Sequence, residues 1–229
     1  MSEAPLTWRC ERKFLPGPAD LETVLARLHR HPALFREVYP PRAINNLYFD
    51  TPELRNYREH VQGCAHRFKL RLRWYGPLRG EITRPVLECK VKHGHVSGKR
   101  GFPVPAFTLN GALPRAELLA RLAEAPLSGP MRWRLAGMQP VLVNRYHRRY
   151  FASADGHLRL TLDTGLEFFD ARSPAGVLRP ALGVAPRLIL ELKYAPEFAA
   201  AAAEAAGHLL FRYTRCSKYV LGVEHLPAT

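Results

Sequence analysis

The sequence predicts an α+β fold in which antiparallel strands carry one charged and one apolar face, and amphipathic helices pack on the apolar one. The strongest support is Cys64 to Gly76, where Arg67, Lys69, Arg71 and Arg73 alternate with Phe68, Leu70, Leu72 and Trp74. Successive side chains of a strand point to opposite faces, so this stretch has a cationic face and an apolar face. The same device recurs in Arg9, Glu11 and Lys13, in Glu88, Lys90 and Lys92, in Arg159 and Asp163, and in Glu191 and Lys193. Two architectures satisfy the pattern. In a sandwich the apolar faces meet inside and the charges face water; in a closed barrel the charges point inward and helices cover the apolar outer wall. Several amphipathic helices need apolar sheet to pack on, which favours the barrel.

The elements follow in order. Leu6 to Leu15 reads as a strand ended by Pro16, Gly17 and Pro18, and Asp20 caps a helix over Leu21 to Arg30. Pro40 and Pro41 mark a turn before a strand over Ala43 to Asp50, and Thr51-Pro52 opens a helix running to Val61. The basic strand comes next, then a loop from Gly76 to Arg84 and a strand over Pro85 to Lys92. Gly94, Gly98 and Gly101 predict a flexible turn or short strand around Lys99 and Arg100. Pro114 to Ala125 carries a helical stripe, and Pro140 to Phe151 and His157 to Thr164 read as a hairpin around Asp155-Gly156. Leu166 to Asp170 pairs next. Arg187 to Tyr194 is a further strand, Pro196 to Leu210 a helix, and the chain ends in Cys216-Ser217-Lys218-Tyr219 and an apolar Val220 to Val223. With no repeat or linker, residues 1–229 read as a single domain.

The formal net charge of +14 points to a polyanionic partner, and because no block of five basic residues occurs the charge is threaded through the fold. The four cysteines are far apart, without C-x-x-C or adjacent histidine, which reads as reduced thiols in a cytoplasmic protein without zinc. The N-terminal residues do not read as a signal peptide, and no apolar run is long enough to span a membrane. There is no P-loop and no G-x-G-x-x-G. Phe68 and Trp74 lie opposite the arginines, which argues against base stacking and nucleic acid.

R-x-E-x-K at Arg9 to Lys13, R-L-R-W-Y-G at Arg71 to Gly76, E-C-K at Glu88 to Lys90, Y-H-R-R-Y-F at Tyr146 to Phe151, L-R-L-T-L-D-T at Leu158 to Thr164, E-L-K at Glu191 to Lys193 and S-K-Y at Ser217 to Tyr219 occur in this order. Together they resemble the catalytic domain of VTC proteins, polyphosphate polymerases of the triphosphate tunnel metalloenzyme (CYTH-like) superfamily. The resemblance implies a closed eight-stranded antiparallel β-barrel with helices outside, and a divalent metal, Mn²⁺ or Mg²⁺. It implies a phosphotransferase moving the ATP γ-phosphate onto polyphosphate. Carried over by motif, Lys13, Arg71, Arg73, Lys90, Lys99, Arg148, Arg159 and Lys218 are phosphate-binding, with Arg100 an alternative to Lys99. Glu191 is the metal ligand, with Glu11 and Glu88 as further candidates, and Arg71, Arg73, Lys218 and Glu191 carry the catalysis. The partners are ATP, triphosphate or polyphosphate. Hydrolysis of triphosphates, or polyphosphate binding without catalysis, are the other readings. Tyr48, Asp50 and Tyr219 read as structural.

Overall fold

The computed structural model describes residues 8–17, 19–181, 183 and 186–227. Alternation becomes strand almost everywhere it occurs. The strands are β1 (Cys10–Leu15), β2 (Arg36–Asp50), β3 (His66–Tyr75), β4 (Gly80–Ile82), β5 (Val86–His93), β6 (Val96–Pro103), β7 (Phe107–Leu109), β8 (Gln139–Ala152), β9 (Leu158–Asp170), β10 (Arg179–Pro180), β11 (Leu188–Tyr194) and β12 (Arg212–Tyr213). The helices are α1 (Leu21–His29), α2 (Arg55–Val61), α3 (Arg115–Ala123), α4 (Gly129–Ala136), α5 (Ala199–Leu209) and α6 (Lys218–Glu224).

Ten strands form one antiparallel sheet in the order β12–β1–β11–β9–β8–β2–β3–β5–β6, with β10 on β9, while β4 and β7 pair separately. The fold is thus mixed α+β with a large antiparallel sheet. The expected closed eight-stranded barrel is not formed: among the described residues no ladder joins the sheet's ends. β12 pairs with β1 at Phe14 and Leu15, and just before β1 the chain meets β6 at the Arg9–Ser97 bridge, whose two backbone hydrogen bonds are 3.1 and 2.9 Å.

The apolar face is covered on two sides. Val24, Leu25 and Leu28 of α1 and Ala202, Ala205 and Leu209 of α5 pack on Phe14, Leu160, Leu162, Leu190 and Leu192. Leu118 and Leu122 of α3, Leu135 of α4 and the small β4–β7 sheet pack on Leu70, Leu72, Trp74 and Leu87. Each side chain taken from water contributes roughly 1.5–3 kcal/mol, which is why the apolar faces of β3 and β9 turn outward towards helices. The charged face is left on the inside of the curl.

Several boundaries differ from expectation, each for a local reason. Residues 6–7 and Pro18 lie outside the described residues. Pro40 and Pro41 do not end a strand: β2 runs through them, with register shifts against β8 between Glu37 and Tyr39 and between Tyr39 and Arg42. Proline lacks the N–H a ladder needs, so the strand bulges there instead of stopping. α2 begins at Arg55 because Leu54 is left-handed (φ 56°); the Asp50 carboxylate then accepts from Asn56 N (2.9 Å) and Tyr57 N (3.0 Å), and Thr51 Oγ1 from Arg55 N (3.2 Å). The glycine-rich segment is a strand of eight residues, β6, because β5 offers it a partner along its whole length. Leu166 to Asp170 continues β9. α4 had no signal in the sequence: Leu135 is its one buried side chain, and Trp133 is 81% exposed. Pro196–Phe198 is a 3₁₀ turn ahead of α5, and the apolar Val220 to Val223 forms most of α6.

Candidate functional site

The inward face encloses a cavity of about 460 Å³. Eleven lysine and arginine side chains line it, Arg9, Lys13, Lys69, Arg71, Arg73, Lys90, Lys99, Arg148, Arg159, Lys193 and Lys218, against two lining carboxylates, Glu11 and Glu191. They come from Arg9 just before β1, from β1, β3, β5, β6, β8, β9 and β11, and from the first residue of α6. Burial strengthens the repulsion among them, so their spacing depends on the carboxylates between and behind them.

Glu191 sits at the centre of one group. Its Oε1 lies 3.0 Å from Lys218 Nζ and 3.5 Å from Lys13, and its Oε2 lies 2.8 Å from Lys193 and 3.2 Å from Arg148. Burial would raise its pKa, but Lys193, Lys218, Lys13 and Arg148 override burial and hold the carboxyl well below the usual range. Asp163 stands beside it and grips Arg148 in a fork at 2.5 and 2.6 Å while accepting from Lys218 at 2.5 Å. Glu11 pairs with Lys90 at 2.8 Å.

Glu88 organises the second group. Its Oε2 receives Arg71 Nε and Nη2 at 2.9 and 2.7 Å, Arg73 Nε lies 3.6 Å away, and its Oε1 receives Lys99 at 2.5 Å. Glu88 is not itself a lining residue; it stands behind the cations it orients. Lys99 lines the cavity and lies opposite Lys90 across β5 and β6. Arg159 lines it from an exposed position. All the residues expected to bind phosphate therefore face one cavity, together with Glu11 and Glu191.

Other members carry no strong sequence signal. Tyr48 lines the cavity, accepts from Arg71 Nη1 at 3.2 Å and stacks on Tyr219 with centroids 5.0 Å apart. Tyr219 in turn donates to Asp50. Arg73 Nε donates to Asn46 Oδ1 (2.9 Å), and Asn46 Nδ2 donates to Asn144 Oδ1 (2.8 Å), a buried neutral relay that fixes the arginine. Lys69 Nζ donates to Ser217 Oγ at 2.7 Å. Lys69 and Lys193 share the faces that made Arg71 and Glu191 candidates, so alternation alone would have found them. Tyr48, Asn46 and Asn144 are uncharged, and nothing in their spacing marks them.

A metal ion finds no ready cage: among the described residues no three His, Cys, Asp or Glu side chains come together to hold one. Both Glu191 oxygens are shared with cations, so a bare divalent ion would meet four positive neighbours. The donor set fits a metal that arrives already bound to phosphate oxygens, with Glu191 as its protein ligand, which is how Mg²⁺ commonly binds. No helix among the described residues is long and apolar enough to cross a membrane.

The VTC domain family matches residues 8–226 of the chain. No curated protein matches it in sequence. Among solved structures, a protein from Vibrio parahaemolyticus provisionally assigned as an adenylate cyclase is similar with TM-score 0.54 and 12% identity, covering 94% of this chain and 98% of that one. A provisionally assigned adenylyl cyclase from Hippeastrum, with a dominant triphosphatase activity, is similar with TM-score 0.54 and 15% identity, over 96% and 97% of the two chains. At these identities the likeness speaks to the fold.

Proposed function

This chain belongs to the VTC domain family, and from that premise we propose that its cavity is a triphosphate tunnel that transfers the γ-phosphate of ATP onto a polyphosphate chain. The observation that supports this most is the excess of cations: eleven line the cavity, against the lining carboxylates Glu11 and Glu191 and the two behind them, Glu88 and Asp163. Such an excess is costly unless an anion of several charges fills it, and a phosphate chain does so.

In this reading Arg71 and Arg73, two positions apart and so about 6–7 Å along β3, hold successive phosphates. Lys13, Lys90, Lys99, Arg148 and Lys218 neutralise the remaining oxygens. A terminal oxygen of the acceptor chain forms the new bond to the γ-phosphorus as the bond to the β,γ-bridging oxygen breaks, leaving ADP. Phosphoryl transfer asks mainly for alignment and charge stabilisation, which a rigid ring of cations supplies. Glu191 would hold the divalent metal, which supplies further charge neutralisation at the phosphate oxygens when bound.

Purified protein incubated with ATP and Mn²⁺ or Mg²⁺ should give a ladder of polyphosphate on a gel, and Arg71→Ala should remove it. Release of inorganic phosphate without a ladder would instead favour hydrolysis, the reading supported by the triphosphatase activity of the Hippeastrum protein. Binding of polyphosphate with no turnover under either metal would reject both enzymatic readings.

A further inference from the structure

Two cavity-lining tyrosines, Tyr39 and Tyr150, join Arg42 and Tyr75 beside the cavity in an arrangement that phosphate binding does not require. The Arg42 guanidinium carbon lies 5.7 Å from the ring centre of Tyr39, 5.7 Å from Tyr75 and 5.9 Å from Tyr150. Tyr39 and Tyr150 meet edge to face at 5.8 Å. Tyr39 is 57% exposed and Tyr75 48%, whereas most other aromatic side chains of the sheet are buried in its cores. Arg42 itself makes contacts with these rings and no ion pair with a described carboxylate.

The placement follows from strand geometry. Tyr146, Arg148 and Tyr150 occupy alternate positions of β8 and all line the cavity. Tyr150 therefore stands about 6.7 Å along the strand from Arg148, one step outward from the buried cation cluster. On β2, Arg42 lies opposite Arg148 and Tyr39 opposite Tyr150. The bulge at Pro40 and Pro41 breaks the alternation, so that neighbours Val38 and Tyr39 both line the cavity.

We propose that Tyr39, Arg42, Tyr75 and Tyr150 form a stacking platform for the base of a nucleoside triphosphate whose phosphates lie inward, past Arg148. Half-exposed tyrosine rings and an exposed guanidinium plane are what flat heteroaromatic rings stack on, with little preference among bases. The platform makes the cavity selective for nucleotides over inorganic triphosphate. It rests on the cavity being the phosphate site.

The test is a calorimetric titration of the β,γ-imido analogue of ATP and of inorganic tripolyphosphate, with and without Mg²⁺, into the wild type and a Tyr39→Ala/Tyr75→Ala variant. Neither substitution alters charge, and both residues are exposed, so the fold and the tripolyphosphate affinity should persist. Affinity for the ATP analogue should fall roughly ten- to hundredfold. Tyr39→Phe/Tyr75→Phe, which keeps the rings, should retain it. Equal losses for both ligands would mean that the cluster only pins the bulged end of β2, and no loss for either would also overturn the proposal. A wild type that binds tripolyphosphate but not the ATP analogue would overturn the platform and leave the phosphate site standing. A wild type that binds neither ligand would overturn both.

Discussion

At the scale of single residues, Lys69 separates this cavity from a set of balanced ion pairs. Its ammonium has no carboxylate in reach among the described residues; it donates to Ser217 and lies 5.6 Å from the Tyr219 ring. Burial first, then Lys13, Lys90, Arg67 and Arg71, pull its pKa well below that of a free lysine. Lys193 is drawn down to about 8, because burial outweighs the pull of Glu191. An anion placed beside these amines favours their charged forms and raises both pKa values. The sign is then fixed: binding takes up protons, and affinity falls as pH rises through the free-state values, with Lys193 contributing around pH 8. Calorimetry of tripolyphosphate binding at pH 8 in two buffers of different ionisation enthalpy should show net proton uptake, reduced in Lys69→Met. Proton release, or the same uptake in that variant, would show that Lys69 is not charged by the ligand. The residues that alternate with leucine, such as Arg71, Arg73 and Lys90, are legible in the sequence because their charge has a period. Asn46 and Asn144 are not, because a neutral amide in a run such as Ile44 to Phe49 gives no clue that it carries an arginine.

At the scale of elements, what places Lys218 is the close approach of α6 to the sheet. A Cβ on Gly222 would stand 2.2 Å from Leu142 Cδ2 and 2.7 Å from Phe168 Cδ1. Glycine at this position lets the helix lie against β8 and β9, and Ser217, whose Oγ accepts from Val220 N at 3.4 Å, starts it at the cavity wall. Gly222→Ala should therefore move α6 outward, cost about 1–3 kcal/mol as overpacking, and weaken tripolyphosphate binding by withdrawing Lys218 from Asp163 and Glu191. Gly207→Ala in α5 is the control: its Cβ meets nothing within 4 Å, and the change should be neutral or stabilising by roughly 0.5–1 kcal/mol. Thermal melts and a binding titration on both variants check this, and an unaltered Gly222→Ala would remove the packing argument. Strands and amphipathic helices were legible here because burial imposes a period, as on α1 and β3. The start of α2 was not, since it depends on Leu54 adopting a left-handed backbone, and α4 was not, since it buries almost nothing.

At the scale of the whole molecule, alternation alone leaves sandwich and barrel equally open. The sheet instead curls with its charges inward, and among the described residues its β1 side meets β6 only at the Arg9–Ser97 bridge. That meeting depends on a pairing across about 90 positions of chain, between Arg9 and Ser97, which no local pattern encodes. The curl concentrates a large share of the +14 net charge in one cavity, so the free protein works against its own repulsion. A polyanion that fits relieves this in the folded state alone and must stabilise it. At a free concentration about a hundred times Kd the gain is about 2.7 kcal/mol, and for a chain of this size about 2–4 °C follows per kcal/mol. Tripolyphosphate should thus raise Tm by roughly 5–10 °C, while sodium chloride at matched ionic strength should raise it far less, since simple screening does not reach enclosed charges well. An equal rise with both salts would place the stabilising charges on the outer surface, and the cavity would then need another explanation for its eleven cations.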